Sequence, residues 1–146
     1  MALRRIIIFD FNRTLYDPDH RKLFSDVPEV LKIAKSRGYD LYLVSSAMPS
    51  RKELVHELGL HDDFAKVIIT DSKRDGFESI ALEKDIDFRK SFVVGDRVVD
   101  EITLGNKLGM QTIWLCAGRF ADEMPTEKVE KPIFVIKELK EVLRII

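Results

Sequence analysis

The residues best suited to chemistry follow the first apolar run of the chain. The run occupies residues 6–9 and ends at Asp10, and Asn12 and Thr14 come two and four residues later. Such a run is typical of a buried strand, and ligands of open α/β sheets bind beyond the carboxyl ends of the strands. Asp10 is therefore placed for chemistry rather than for packing. Asn12 stands where a second acid would be expected, so the activity of the site depends on this amide.

Polar residues follow three further apolar runs in the same way. Ser45 and Ser46 end LYLVSS, Lys73 lies in TDSKRDG, and Asp96 and Asp100 lie in VVGDRVVDE. In a parallel sheet, these strand ends meet at one edge. Carboxylate and carbonyl oxygens suit Mg²⁺, which completes its shell with water and substrate phosphate, and lysine offers a compact charge to a phosphoryl oxygen. The pattern indicates a site for a divalent metal and a phosphate.

The elements that would position these residues alternate along the chain. Apolar, β-branched runs predict six strands, at residues 5–9, 40–44, 66–69, 91–94, 112–115 and 133–135. Helical periodicity predicts five helices, at residues 27–37, 50–58, 77–84, 99–108 and 137–143. This alternation predicts an α/β fold with a doubly wound parallel sheet and right-handed crossovers. We expect one domain over residues 1–146, with residues 118–132 as a surface loop.

Length and composition narrow the class of protein. The chain has 146 residues, 34% of them charged, and a net charge of −1, which gives no bias toward nucleic acid or membranes. One cysteine, Cys116, excludes an internal disulfide and favours a reducing compartment. The first apolar run is shorter than the about 7–15 residues of a signal peptide, and no run reaches the ~18 residues of a membrane span. We therefore expect a cytoplasmic protein.

The first two motifs resemble those of the haloacid dehalogenase (HAD) superfamily of phosphotransferases. The first motif of that family is D-x-D-x-T after an apolar strand, and Asp10, Asn12 and Thr14 match it with one departure, at Asn12. Its second motif is a strand ending in Ser or Thr, matched here by Ser45, with Ser46 as the alternative.

The third and fourth motifs follow in the order of the family. Lys73 matches the lysine before a helix, with Lys66 and Lys84 as competitors, and Asp96 and Asp100 match G-D-x-x-x-D. Each motif alone is weak evidence. The ordered set, which covers about residues 5–118, is specific.

The resemblance implies how a phosphate ester would be cleaved. Asp10 would be the nucleophile that forms an aspartyl-phosphate, which water then hydrolyses. Mg²⁺ would be held by Asp10, the backbone carbonyl of Asn12 and Asp96. The second acid of the first motif protonates the leaving group in the family, and that position is Asn12 here. Asp17 and Asp19 lie close enough in sequence to supply the proton instead.

The remaining motif residues would hold the phosphoryl group or support the site. The resemblance assigns Ser45, or Ser46, and Lys73 to the transferring phosphoryl oxygens. Thr14 would support the loop after the first strand. Asp100 would either orient Lys73 or complete the outer shell of the metal.

The distances between the motifs leave no room for a cap domain. Only 34 residues separate Asp10 from Ser45, and 27 separate Ser45 from Lys73, and each gap is filled by a helix and a strand. We therefore expect an open site, with residues 15–26 as its flap. A closed site excludes water and holds small substrates. An open site suits a phosphate on a macromolecule, or a small phosphorylated substrate that a neighbouring subunit encloses in a homo-oligomer.

Three functions are consistent with these residues. The first is a Mg²⁺-dependent phosphatase without a cap that acts on a phosphate monoester. The second is a catalytically weak or silent relative that binds phosphate or a partner, and Asn12 favours it. The third is a non-phosphatase branch such as a dehalogenase, which dispenses with the metal, and the presence of Asp96 and Asp100 argues against it.

Overall fold

The computed structural model describes residues 2–146. Its strands are β1 (Arg5–Phe9), β2 (Tyr16–Asp17), β3 (Lys22–Leu23), β4 (Tyr39–Ser46), β5 (Lys66–Thr70), β6 (Phe92–Gly95), β7 (Gln111–Leu115) and β8 (Phe134–Ile136). Its α-helices are α1 (Val27–Ser36), α2 (Arg51–Glu57), α3 (Lys73–Ala81) and α4 (Thr103–Lys107). A π-helical turn, Val98–Ile102, leads directly into α4.

Six of the strands form one parallel sheet in the order β5-β4-β1-β6-β7-β8. The chain builds the half from β1 to β5 first and then returns to build the half from β6 to β8, so the strand order reverses between β1 and β6. Phe9, the last residue of β1, is level with Leu43 of β4 and Val94 of β6. Asp10 and Asp96 therefore leave the sheet side by side at the switch point, where ligands of such sheets bind. The predicted α/β fold is confirmed.

The central strand is buried on both faces. Ile7 and Phe9 pack into the cluster that contains α1, whereas Ile6 and Ile8 pack on the opposite face against residues of α3 such as Phe77. Successive side chains of a strand point to opposite faces, which explains why the run is apolar at every position rather than at alternate ones. Each such side chain contributes about 1.5–3 kcal/mol when fully buried. This rigid strand holds Asp10 in place.

Three elements differ from the prediction. Helix α3 begins at Lys73 rather than at residue 77, because the Ser72 side chain accepts a hydrogen bond from the backbone amide of Asp75 at 3.2 Å and caps the helix. Gly76 interrupts the helical pattern of apolar residues, so the periodicity did not indicate this first turn. Gly76 lies against the sheet, where a Cβ would be 3.2 Å from Val44 Cγ1.

The other two differences lie after β6 and after β8. The helix predicted at residues 99–108 is divided into the π-helical turn and α4, and the helix predicted at 137–143 is a 3₁₀-helix, Leu139–Arg144. The expected flap at residues 15–26 contains the antiparallel hairpin of β2 and β3.

No folded insertion separates the motifs along residues 2–146. Between β1 and β4 the chain forms only the hairpin and α1, and between β4 and β5 it forms α2 and a short 3₁₀-helix, Leu60–Asp62. Across the same residues, no helix combines the length and the apolar character that crossing a membrane requires.

Candidate active site

Lys73 joins the carboxylates at the centre of the site. Its Nζ donates to Asp10 Oδ1 at 2.7 Å and also to Glu101 Oε1. The lysine side chain is only 9% exposed. Burial lowers the pKa of Lys73, but the charges of Asp10 and Glu101 raise it by more, so the net shift is upward. Lys73 therefore stays charged at every physiological pH, at the position that the third motif predicted for it.

Glu101 is a site residue that the sequence analysis missed. Glu101 is 1% exposed and contacts Lys73, whereas the Asp100 side chain is 33% exposed with its Oδ2 3.7 Å from Lys73 Nζ. The motif pattern pointed only to Asp100, which lies beside Lys73, and the π-helical turn also brings the following residue into the cluster. Such turns insert a residue into a helix and occur frequently at functional sites. Burial, and then the nearby charge of Asp10, raise the pKa of Glu101 well above its ordinary value.

Gly95 leaves the space that Glu101 occupies. A Cβ at residue 95 would lie 2.6 Å from Glu101 Oε2 and 2.9 Å from its Cβ. We predict that Gly95→Ala lowers the free energy of unfolding by about 1–3 kcal/mol, because an extra methyl group overpacks this contact. Urea denaturation measures the change. In a Glu101→Ala background the loss should be smaller, since the carboxylate is gone, and an unchanged stability of the single variant would contradict this packing.

Asp96 is the carboxylate best placed for a metal. It is 1% exposed, and its Oδ2 accepts a hydrogen bond from Arg13 Nε at 3.1 Å, whereas its buried Oδ1 has no hydrogen-bond partner within residues 2–146. Trp114 Nε1 donates to the Asp96 carbonyl at 3.0 Å and holds the backbone in place. Burial, and then the charge of Asp10, raise the pKa of Asp96 to about 7.

These carboxylates match the requirements of a hard divalent cation. Oxygen atoms of Asp10, Asp96 and Glu101 all lie within 4.8 Å of one another. An unpaired buried oxygen is unfavourable, and a cation would satisfy Asp96 Oδ1 while relieving the repulsion that raises the carboxyl pKa values. Mg²⁺ takes such oxygens as ligands. The residues present therefore fit a Mg²⁺ ion.

A small cavity adjoins this cluster and is lined by almost all of the predicted site residues. Its volume is about 190 Å³, below the roughly 300–1,000 Å³ of sites for drug-sized ligands, and its lining includes Asp10, Asn12, Ser45, Ser46, Lys73, Asp96 and Asp100. Thr14 is absent from this lining. It is buried and lines a second, larger cavity.

Arg51 is a second cation of the small cavity and was not predicted. It lies in the first turn of α2, is buried, and its Nη1 donates to Ser45 Oγ at 2.7 Å. Its guanidinium carbon lies 4.6 Å from the centre of the Phe11 ring. Burial lowers the pKa of Arg51, and the charge of Asp10 opposes this shift. No local motif marks Arg51, because an arginine at the start of a helix is usually solvated.

The second cavity has a volume of about 690 Å³ and shares Arg13 with the small cavity. Asp17 and Asp19 line this larger cavity and not the small one. Asp17 Oδ2 is paired with His20 Nδ1 at 2.7 Å. Neither acid therefore faces the pocket of Asp10, which weakens the suggestion that one of them replaces the missing proton donor.

Comparison with known proteins agrees with the motifs. Residues 4–106 match the family model described as haloacid dehalogenase-like hydrolase, and residues 73–142 match a related model, HAD-hydrolase-like. The chain is 28% identical over 124 residues to a glyceraldehyde 3-phosphate phosphatase of Pyrococcus furiosus. This match covers 77% of the chain and 49% of that phosphatase, so the chain spans about half the length of this relative.

Solved structures share the fold at low sequence identity. A HAD phosphatase of Thermococcus onnurineus has a TM-score of 0.76 at 16% identity, with 97% of each chain covered. YfnB of Bacillus subtilis, described as a HAD-hydrolase bound to magnesium, has a TM-score of 0.68 at 18% identity, with 84% of this chain and 55% of that one covered. These likenesses establish the fold, and the family model covers most of the sequence. The chain therefore belongs to the haloacid dehalogenase-like hydrolases.

Proposed function

We propose that this protein is a Mg²⁺-dependent phosphomonoester hydrolase that works through an aspartyl-phosphate on Asp10. The observation that carries the proposal is the convergence of a nucleophile, two cations and a hydroxyl on one cavity of about 190 Å³. The nucleophile is Asp10, the cations are Lys73 and Arg51, and the hydroxyl belongs to Ser45. A phosphoryl group is an anion that needs this combination of positive charge and hydrogen-bond donors.

Asp10 performs the first half of the reaction. One of its carboxylate oxygens attacks phosphorus, so that a new O–P bond forms and the P–O bond to the alcohol breaks, with its electron pair leaving on the alcohol oxygen. Water then attacks the aspartyl-phosphate, releases inorganic phosphate and restores the carboxylate. Lys73 pairs with Asp10 at 2.7 Å and orients this carboxylate.

The other residues of the cavity stabilise the transferring group. Ser45 Oγ accepts from Arg51 Nη1 at 2.7 Å and its hydroxyl donates to the Ser46 carbonyl at 3.3 Å, so the side chain is held at the wall of the cavity before substrate arrives. Arg51 and Lys73 place two positive charges near the phosphoryl oxygens, where preorganised charge stabilises the transition state. Asp10 and Asp96, with the carbonyl of Asn12, would hold Mg²⁺, which neutralises charge between carboxylate and phosphoryl group when it is bound.

Asn12 limits which esters this site can cleave quickly. An amide has no proton to give at physiological pH, so an alkoxide leaving group would depart unprotonated. The similarity to glyceraldehyde 3-phosphate phosphatases suggests a small phosphorylated substrate. The open site is equally compatible with a small substrate enclosed by a second copy of the chain and with a phosphate on a macromolecule.

The test is a screen of phosphate esters with Mg²⁺ and with EDTA, run beside Asp10→Ala. We expect turnover of aryl and acyl phosphates that EDTA abolishes, and loss of turnover to the buffer background in the variant, because alanine cannot form the covalent intermediate. Trapping of the phosphorylated chain by rapid acid quench and mass spectrometry should label Asp10. Full activity of Asp10→Ala would overturn the proposed mechanism.

A second function, phosphate or partner binding without turnover, is favoured by Asn12 alone. It predicts that inorganic phosphate binds in calorimetry with Mg²⁺ present while no ester is cleaved. Turnover of any ester that depends on Asp10 would exclude it.

A further inference from the structure

We propose that Arg13, Arg97 and Arg119 form a second anion subsite beside the phosphoryl pocket. The substrate would then be a phosphate ester that carries a further anionic group, either a carboxylate or another phosphate. This inference rests on the proposed phosphatase function and names the class of its substrate. We refer to the three residues as the arginine triad.

The triad gathers around one aromatic ring. The guanidinium carbons of Arg97, Arg13 and Arg119 lie 4.1, 4.7 and 5.5 Å from the centre of the Phe120 ring. Arg97 lines the small cavity, Arg119 lines the large one, and Arg13 lines both. A ligand with its phosphoryl group at Asp10 therefore meets the triad where it extends toward the larger cavity.

The triad carries more positive charge than its partners neutralise. Arg13 is paired with Asp96, and Arg97 Nη2 lies 3.7 Å from Glu123 Oε2. Arg97 Nε is buried without a hydrogen-bond partner, and Arg119 makes no ion pair in the part of the chain that the structure describes. Cation–π attraction favours each guanidinium on the ring, but three like charges at one ring repel one another. An added anion would relieve this repulsion.

The carboxylates of the larger cavity mostly have other partners. Asp17 is paired with His20, Asp26 Oδ2 accepts from the backbone amide of Lys140 at 2.9 Å, and Glu138 is paired with the Lys140 side chain at 3.4 Å. Asp19 is the fourth carboxylate in the lining and makes no ion pair among residues 2–146. Three of the four are therefore engaged away from Arg119, which leaves that guanidinium available to a ligand.

The backbone of Arg13 supports a functional role for the triad. Arg13 has φ 61°, in the left-handed backbone region that residues other than glycine rarely adopt. Residues held in such conformations cluster at functional sites. Here the pairing with Asp96 and the stacking on Phe120 fix the side chain at the border of the two cavities.

Non-hydrolysable phosphonates test the subsite without requiring turnover. We would measure calorimetric affinities, at saturating Mg²⁺, for propylphosphonate, 3-phosphonopropionate and ethylene-1,2-bisphosphonate, which share a similar length. The second anion is expected to tighten binding by about tenfold or more, as for one hydrogen bond to a charged group. Comparison of 3-phosphonopropionate with the bisphosphonate shows whether the triad prefers a carboxylate or a second phosphonate.

Variants decide whether the triad is responsible. Arg119→Gln, which leaves the phosphoryl pocket intact, should remove most of the gain from the second anion and leave propylphosphonate affinity unchanged, and Phe120→Leu should weaken the same gain. Arg74→Gln is the matched control, because Arg74 is exposed on α3 and pairs with the exposed Glu78. Equal affinities for the three phosphonates, or a gain that survives Arg119→Gln, would overturn the subsite alone. Failure of propylphosphonate itself to bind would overturn the proposed function as well.

Discussion

Replacing Asn12 by aspartate is expected to raise the hydrolysis rate of alkyl phosphates by about 10²–10⁴-fold, the usual contribution of general acid catalysis. Asn12 lines the pocket of Asp10, so an acid at this position would reach the leaving oxygen. Aryl phosphates, whose leaving groups need no proton, should change little. Steady-state rates on an alkyl and an aryl ester, for the wild type and the variant, measure this difference between the two ester types.

The positions of Asp17 and Asp19 strengthen this expectation. Both acids line the larger cavity rather than the pocket of Asp10. Partial burial raises the pKa of Asp17, but hydrogen bonds from the side chain and backbone of His20 and from the backbone of Asp19 lower it by more, so the net shift is downward. Asp17 is thus ionised at neutral pH and has no proton to donate.

Two further variants control the Asn12 result. Asp17→Asn should leave both rates unchanged, and Asn12→Leu should leave alkyl turnover as slow as in the wild type. If the wild type already cleaves alkyl esters as fast as Asn12→Asp, then another group supplies the proton.

Asp96→Asn is expected to stabilise the metal-free protein at pH 8 by up to about 4 kcal/mol. The carboxyl of Asp96 has a pKa of about 7 in the folded protein and an ordinary value of 3.8 when unfolded. The folded state therefore binds the proton more tightly, and stability falls as pH rises from 3.8 to about 7. An asparagine at this position carries no charge, so the variant avoids this loss of stability.

Chemical denaturation in EDTA across this pH range measures the effect. The free energies of unfolding of the variant and the wild type should be similar below pH 3.8 and should diverge as the pH rises from 3.8 to about 7. Mg²⁺ should narrow this difference, because saturating ligand at ~100-fold over its dissociation constant adds roughly 2.7 kcal/mol to the wild type and nothing to a variant that lacks the ligand. A metal-free wild type that is more stable than Asp96→Asn at pH 8 would contradict the buried, repelled carboxylate.

Much of the site could be predicted from sequence because its residues sit at the ends of strands. The apolar run before Asp10 is a local pattern, and strand and helix periods are read within short windows. The resulting alternation implies a parallel sheet, and a parallel sheet brings its carboxyl ends together. Asp10, Ser45, Lys73 and Asp96 were therefore expected to meet, and they line one cavity.

The remaining features depended on how distant elements pack. Glu101 enters the site because a π-helical turn shifts the register after β6, and Gly95 leaves room for its side chain. Arg51 reaches Ser45 because the turn after β4 brings the start of α2 back to the end of that strand.

The arginine triad and the absence of an acid near Asn12 also could not be predicted from local sequence patterns. Arg119 joins Arg13 at Phe120 across more than 100 residues of chain, and Asp17 lines a different cavity from Asn12 although it is only five residues later. The local patterns were enough to predict the sheet and the residues at its edge, because backbone geometry repeats within each element. Which other side chains face that edge depends on packing between elements, and no local pattern records that packing.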